Sequence, residues 1–173
     1  MEKGMMKRLL AAVAVVFCGA AGAADAPGAA PAGDLEISPA EARQRIYDFL
    51  KEAKCYYIAT VDKDQPHVRP FGTILIYEDR LYIQTGRKKN VGQQLLANGK
   101  VELCAMKDNQ VLRVTGTLVE DPRREAKAAM LDAYPGLKKM YSPDDDNTMV
   151  LYFKDGGTAL LTEFGRPAVT FHF

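Results

Sequence analysis

The residues with the clearest chemical potential are three consecutive cations, Arg87, Lys88 and Lys89. They follow Gly86 at the end of a predicted strand and precede a predicted helix that begins at Asn90. The first turn of a helix offers free backbone N–H groups and a positive dipole end, and basic side chains add to the attraction for an anion. A phosphate is the natural ligand of such a loop. The alternative is a solvated basic loop that binds nothing.

One further cation, Arg69, lies in an earlier β segment that Pro70 and Gly72 interrupt. Such an interruption indicates a sheet edge, a bulge or the close approach of a ligand. A buried arginine also needs an anionic partner. Hairpin pairing would bring the surroundings of Arg69 and Thr85 close together, which favours the phosphate hypothesis without excluding the solvated loop.

Other site chemistries have less support. His67 and His172 are the only histidines and lack cysteine or acidic residues at metal-ligand spacing, so no metal site is predicted. His67 is interpreted as a surface strand residue; the alternatives are a position in a ligand cleft or a haem ligand. Cys55 and Cys104 are interpreted as small buried residues, with a disulfide as the alternative in an oxidising compartment. No side chain is identified as catalytic.

The composition restricts the class of protein. The chain has 173 residues, of which 47% are hydrophobic and 26% charged, with a formal net charge of +1. These values exclude a mainly disordered chain and a broadly basic nucleic-acid binder.

The N-terminal part is predicted to be a secretory signal. Three basic residues precede an apolar run over 9–21, and an Ala-Gly-Ala cleavage pattern ends at Ala23. The run is too short to span a membrane, which takes about 20 residues. A lipid anchor at Cys18 is the alternative, although Phe17 is unusual in such signals. We expect a signal peptide over 1–23, a disordered linker over 24–36 and one domain over 37–173, located in the periplasm or secreted.

The elements of this domain follow from periodicity and turn residues. A capping box at Ser38 predicts a helix over 39–54, and further helical segments are predicted over 90–97, about 122–133 and 135–141. Tyr134, Met140 and Tyr141 are interpreted as packing residues, with a substrate pocket as the alternative. Strands are predicted over 55–61, 67–77, 81–84, 100–107, 110–120, 149–154 and 158–162, the last two as a hairpin. The expected fold is mainly β with inserted helices, a six- or seven-stranded antiparallel barrel or sandwich.

Five segments, in this order, resemble the pyridoxamine 5′-phosphate oxidase-like family of flavin-binding split β-barrels. They read YIATV at 57–61, PHVRPFG at 66–72, LYIQTGRKK at 81–89, QQL at 93–95 and NGKV at 98–101. The resemblance covers about residues 40–155. It implies a homodimer that binds FMN in two clefts at the subunit interface.

The resemblance also implies roles for individual residues. Arg69 and Lys89 are expected to bind the phosphate, with Lys88 beside them, and Gln110 to reach the flavin from the partner subunit. Two further groups are expected to lie along the flavin ring and along the ribityl chain: Pro70, Phe71, Gly72, Thr73 and Ile74 for the ring, and Ile83, Gln84 and Thr85 for the chain.

The family's vitamin B6 enzyme is the less similar member. That enzyme has a lysine late in its first flavin strand and a tryptophan-containing tail, whereas this chain continues Thr73-Ile74-Leu75-Ile76 and has no tryptophan. Small bacterial members of the nitroimidazole-reductase-like and general-stress types are more similar. The implied activity is hydride or electron transfer through FMN to an unknown small-molecule substrate. The alternatives are a non-catalytic flavin- or haem-binding protein and a split barrel without a cofactor that serves as an interaction module.

Overall fold

The computed structural model describes residues 32–173. The predicted signal peptide, Cys18 and most of the predicted linker lie outside these residues. Gly33 and Asp34 pair in parallel with Val169 and Thr170. Among the described residues, Gly33 and Asp34 are therefore already part of the sheet, although they lie in the segment predicted as linker.

Nine strands, three α-helices and one 3-10 helix make up the described part of the chain. The helices are α1 (Pro39–Ala53), α2 (Asn90–Ala97), α3 (Arg124–Ala133) and the 3-10 helix Pro135–Lys139. The strands are β1 (Gly33–Asp34), β2 (Tyr56–Asp62), β3 (Gln65–Phe71), β4 (Leu75–Tyr77), β5 (Arg80–Gly86), β6 (Lys100–Lys107), β7 (Gln110–Asp121), β8 (Thr148–Glu163) and β9 (Val169–His172).

The helices form where the sequence predicts them. The Ser38 side chain accepts a hydrogen bond from the backbone N–H of Glu41 at 3.2 Å, which caps α1 as expected. Helix α1 buries Ala42, Ile46 and Leu50 against the sheet. Helix α2 has the predicted bounds. No helix within residues 32–173 is long and apolar enough to cross a membrane.

The predicted C-terminal hairpin is wrong, because β8 is one continuous strand of 16 residues. Its pairing with β7 passes from Lys154–Thr117 to Gly157–Gly116, so that Asp155 and Gly156 form a bulge. Both have positive φ, 58° and 80°. The turn-forming residues thus kink the strand instead of reversing it. This strand pairs with β5 over its first part and with β9 over its last.

The predicted strand over 67–77 is two strands with different partners. β3 pairs with β2, whereas β4 pairs with β5. The sheet follows the order β1-β9-β8-β7-β6-β2-β3, with β5 joined to β8. Within residues 32–173, β3 and β5 are not hydrogen-bonded to each other, so the barrel is open between them. The fold is mainly β with inserted helices, as predicted. The described residues form nine strands, which is more than the six or seven that the sequence predicts.

Candidate functional site

A cleft of about 260 Å³ lies along the opening between β3 and β5. Residues of β3, of the 72–74 connection, of β5, of α2 and of the segment after α3 line it. They are Arg69, Pro70, Phe71, Gly72, Thr73, Gln84, Thr85, Lys89, Val91, Leu137, Met140 and Tyr141. Eight of the twelve predicted cofactor residues are among them. The predicted proximity of Arg69 and Thr85 is therefore confirmed.

Arg69 is held at the cleft by neutral groups. Its Nη1 donates to the hydroxyl of Thr60 at 2.5 Å and its Nη2 to Oε1 of Gln94 at 2.9 Å. No ion pair among residues 32–173 includes Arg69. Partial burial lowers the pKa of the guanidinium, because desolvation disfavours its charged form. The sequence predicted an anionic partner for Arg69, and no described side chain supplies it.

The three consecutive cations have different environments. Arg87 forms an ion pair with Glu120, so its charge is already compensated. Lys88 is exposed and does not line the cleft. Lys89 lines it, directly before α2, with its Nζ 5.9 Å from the centre of the Tyr141 ring. No described carboxylate pairs with Lys89. Of the triplet, Lys89 is thus the cation available to a ligand in the cleft.

Asn147 fixes the backbone of the basic loop. Its carbonyl accepts from the N–H of Arg87 at 2.7 Å, and its side-chain oxygen accepts from the N–H of Lys88 at 3.0 Å. Helix α2 approaches the same loop so closely that a Cβ on Gly92 would lie 2.5 Å from the carbonyl oxygen of Gly86. The sequence predicts no role for Asn147, which stands there only as a polar residue shortly before the predicted strand 149–154.

The buried floor of the cleft is polar. The Thr73 hydroxyl accepts from the N–H of Gln84 at 3.1 Å, and the Gln84 side chain donates to the carbonyl of Thr85 at 3.1 Å. All three residues are buried. Because these groups bond to one another, the floor of the cleft is rigid. Its oxygen and nitrogen atoms make it polar, which suits a polar ligand.

Two tyrosines fix the connection between β3 and β4. The Tyr56 hydroxyl donates to the carbonyl of Thr73 at 2.6 Å, and burial raises the pKa of Tyr56 well above its usual value. The Tyr134 hydroxyl accepts from the N–H of Ile74 and donates to its carbonyl, both at 2.8 Å. These bonds set the path of the segment and occupy both backbone groups of Ile74.

Four predicted cofactor residues do not line the cleft of this chain. Ile74 and Ile83 are fully buried in the core. Lys88 is exposed beside the cleft. Gln110 begins β7 and donates to Glu163 at 2.9 Å. Its expected contact with a flavin bound to the partner subunit stays a prediction.

A wall of three residues closes one side of the cleft, and it includes Met140 and Tyr141, which the sequence predicts as packing residues with a pocket as the alternative. Leu137, Met140 and Tyr141 line the cleft, with the side chain of Met140 largely exposed. Their position follows from the chain path after α3, which the sequence pattern does not determine. The wall makes this side of the cleft predominantly apolar.

The cysteines and histidines form no site in the described part of the chain. Cys55 and Cys104 are both free thiols, and Cys55 is exposed, so its predicted burial is wrong. His67 is partly buried on β3 but does not line the cleft. Within residues 32–173 there is no group of three His, Cys, Asp or Glu side chains that could hold a metal ion.

The comparison with solved structures agrees with this geometry. A NimC/NimA family protein from Clostridium acetobutylicum is 41% identical, with a TM-score of 0.74; the match covers 78% of this chain and 94% of that one. Two structures share the fold at lower identity. A pyridoxamine 5′-phosphate oxidase-related, FMN-binding protein from Nostoc punctiforme is 17% identical, with a TM-score of 0.56 and coverage of 79% and 91%. A haem-binding protein from Mycobacterium smegmatis is 16% identical, with a TM-score of 0.59 and coverage of 79% and 58%.

The comparison with family models covers most of the folded part. The sequence matches no curated protein. The model of pyridoxamine 5′-phosphate oxidase matches residues 42–154, which run from the first turn of α1 into β8 and include both cations of the cleft. The split-barrel fold and the family predicted from the five segments are confirmed, and the chain belongs to the pyridoxamine 5′-phosphate oxidase family.

Proposed function

We propose that the protein is an FMN-dependent oxidoreductase whose cleft binds the flavin with its phosphate between Arg69 and Lys89. One observation carries the proposal: both cations line a cleft without acidic lining residues, and neither pairs with a described carboxylate. Uncompensated charge at a partly buried position is costly unless an anion binds there. A phosphate would remove that cost for Arg69, which is partly buried, and the exposed Lys89 would supply a second cation to it.

The cleft residues fit the parts of FMN. Arg69 and Lys89 supply charge-assisted donors for the phosphate, and the start of α2 adds free backbone N–H groups beside Lys89. The polar floor of Thr73, Gln84 and Thr85 suits the hydroxyl-bearing ribityl chain. The apolar wall of Leu137, Met140 and Tyr141 suits a planar ring and its reaction partner.

In the proposed mechanism, bound FMN supplies the hydride or electron transfer. The protein's residues bind and orient. Arg69 and Lys89 would bind the phosphate end. The 72–74 segment, which Tyr56 and Tyr134 hold in place, would lie along the edge of the ring. The apolar wall would exclude water from the side where a substrate enters. No protein nucleophile is needed.

We further propose that the active form is a homodimer. The cleft is small compared with the roughly 300–1,000 Å³ of typical ligand pockets, so one chain would enclose only part of a flavin. The outer face of β3, β2 and β6 carries three exposed apolar side chains, with Val68 65%, Tyr57 52% and Met106 69% exposed, beside the ion pair of Glu102 with Arg113. We call these three residues the apolar sheet face.

This face reaches the cleft. Pro70, which lines the cleft, lies opposite Tyr57 in the β2–β3 register. A second copy docked on the apolar sheet face would therefore bury exposed apolar area and extend the cleft at its edge. The partner's contribution of Gln110 to the flavin belongs to this proposal. Export to the periplasm is proposed from the N-terminal sequence alone.

A non-catalytic flavin- or haem-binding protein is the second candidate, favoured by the fold shared with the haem-binding protein from M. smegmatis. Its weak point is the candidate ligand His67, which lies outside the cleft lining. Reduction of the FMN-loaded protein by NAD(P)H, followed by reoxidation with a nitroaromatic or quinone acceptor, supports the oxidoreductase. Bound flavin that no donor and acceptor can cycle supports the second candidate.

The phosphate site is tested with Arg69→Ala/Lys89→Ala titrated with FMN and with riboflavin, which lacks the phosphate. Loss of charge-assisted bonds worth about 1.5–3 kcal/mol each should weaken FMN binding about 100-fold or more and leave riboflavin binding nearly unchanged. Arg87→Ala is the matched control, because Arg87 is engaged by Glu120. FMN binding by the double variant at wild-type affinity would refute the phosphate site.

A further inference from the structure

Arg69 belongs to a closed hydrogen-bonded triangle with Thr60 and Gln94. Its two terminal nitrogens donate to these residues, and the Thr60 hydroxyl donates to Oε1 of Gln94 at 2.7 Å. Thr60 is 2% exposed and Gln94 8% exposed. Because the acceptors are buried and bonded to each other, they allow the guanidinium only one orientation. We call Thr60 and Gln94 the neutral clamp.

The neutral clamp joins three elements. Thr60 comes from β2 and lies opposite His67, two pairs along from Arg69 in the β2–β3 register, and therefore on the same face of the sheet as Arg69. Gln94 comes from the inner side of α2, and Lys89 directly precedes that helix. The bond between Gln94 and Arg69 therefore links the two cations of the cleft through one helix. It fixes the direction of Arg69 relative to the helix that Lys89 precedes.

The neutrality of the clamp has a chemical consequence. An arginine carries five N–H donors, of which the clamp uses two. A threonine hydroxyl and a glutamine amide take those bonds without cancelling the positive charge. A glutamate at position 94 could accept the same bond, but it would form an ion pair and compensate Arg69 internally, as Glu120 compensates Arg87.

We propose that Thr60 and Gln94 are positioning residues for the anion site: they orient Arg69 and, by being uncharged, keep its charge and its remaining donors for a phosphate. The inference rests on the proposed FMN site and assigns these two residues a part in selecting the phosphorylated flavin over riboflavin. Neither residue lines the cleft itself. They act on the ligand through Arg69.

The experiment measures the affinities of FMN and riboflavin for the wild type and three variants. Gln94→Glu keeps the size and the acceptor but adds the charge. Thr60→Val keeps the shape and removes the hydroxyl. Ala97→Glu adds the same charge at an exposed position one turn along α2 from Gln94, outside the cleft lining, and controls for a general electrostatic effect.

Gln94→Glu should weaken FMN binding about 10- to 100-fold, the effect of losing a charge-assisted bond, with riboflavin binding within about twofold of wild type. Thr60→Val should weaken FMN binding about 3- to 10-fold, again with little effect on riboflavin. Ala97→Glu should change neither affinity by more than about twofold, because an exposed charge is screened.

Three other outcomes would each contradict a specific part of this proposal. A parallel loss of FMN and riboflavin binding in Gln94→Glu and Thr60→Val would mean that the clamp only supports the fold. Unchanged FMN binding in both variants would overturn the clamp while the FMN site stands. Wild-type protein with equal affinity for FMN and riboflavin would refute the phosphate site, and the clamp with it.

Discussion

The hydroxyl of Tyr134 holds both backbone groups of Ile74, accepting from the N–H and donating to the carbonyl, each at 2.8 Å. Ile74 lies where β3 has ended and β4 has not begun, so no neighbouring strand takes these bonds. A side chain 60 residues away in the sequence thus replaces the missing sheet partner. The edge of the cleft is ordered by this contact.

Tyr134→Phe removes that contact without changing the shape of the ring. Because Ile74 is buried, its backbone groups would be left without partners, and the free energy of unfolding should fall by about 1–3 kcal/mol. Flavin affinity should fall as the 72–74 segment loosens. Urea denaturation and FMN titration measure the two effects, and Tyr47→Phe, a partly buried tyrosine of α1 outside the cleft lining and the apolar sheet face, is the control. A variant as stable as the wild type would show that the contact is not formed in solution.

Charge on the apolar sheet face should dissociate the proposed dimer. Val68→Glu combined with Met106→Glu places two carboxylates in an interface where apolar area would be buried, which is costly without a cationic partner. Sedimentation velocity should show a dimer for the wild type and a monomer with weaker FMN binding for the variant. Leu96→Glu adds a charge at an exposed residue of α2 and should stay dimeric. A monomeric wild type would contradict the dimer.

Gly92→Ala tests the close approach of α2 to the basic loop. Alanine usually favours a helix over glycine by about 1 kcal/mol, but here its Cβ would lie 2.5 Å from the carbonyl oxygen of Gly86. We therefore expect the opposite sign: lower thermal stability and weaker FMN binding. Gly136→Ala has no atom within 4 Å of the added Cβ and should change neither. A stabilised Gly92→Ala variant would show that the loop and helix separate easily.

A buried acid outside the cleft should control the acid sensitivity of the fold. Burial alone would raise the pKa of Asp121, but hydrogen bonds from Arg123 and Tyr82 outweigh it and hold this pKa below its usual value. A carboxyl with a lowered pKa in the folded state stabilises the protein above the pKa of the unfolded chain, about 3.9. That stabilisation is lost as the pH falls through the folded-state pKa.

Asp121→Asn should therefore cost about 2 kcal/mol near neutral pH and reduce the dependence of stability on pH between about 5 and 2. Urea denaturation across this range measures both. Asp144→Asn changes an exposed pair with Arg124 and should have little effect. An Asp121→Asn variant with the full wild-type loss of stability in acid would exclude Asp121 as the responsible group.

The sequence determined most of the local structure because its signals are local. The cap at Ser38 and the apolar spacing of Ala42, Ile46 and Leu50 locate α1. The residues immediately before and after α2 predict both of its ends. The turn residues at 155–157 led to the wrong prediction of a hairpin, because glycine with a positive φ permits a bulge in a strand as readily as a hairpin turn. Pairing of β8 with β7 on both sides of the bulge decides the outcome.

The candidate site was predictable where it depends on residue type and unpredictable where it depends on tertiary contacts. Arg69 and Lys89 are recognisable as cations near a helix start. That Arg87 is neutralised by Glu120, 33 residues further along, depends on how β7 crosses the barrel. The partners of Arg69, Thr60 and Gln94, are ordinary residues in the sequence and become informative only when β2, β3 and α2 meet.

The most direct test of the central claim is the absorption spectrum of the purified full-length protein, together with mass analysis of any ligand released on denaturation. The account predicts an oxidised flavin spectrum and released FMN at one molecule per chain, or uptake of added FMN to that ratio. A haem spectrum, or a colourless protein that does not take up added FMN, would contradict it.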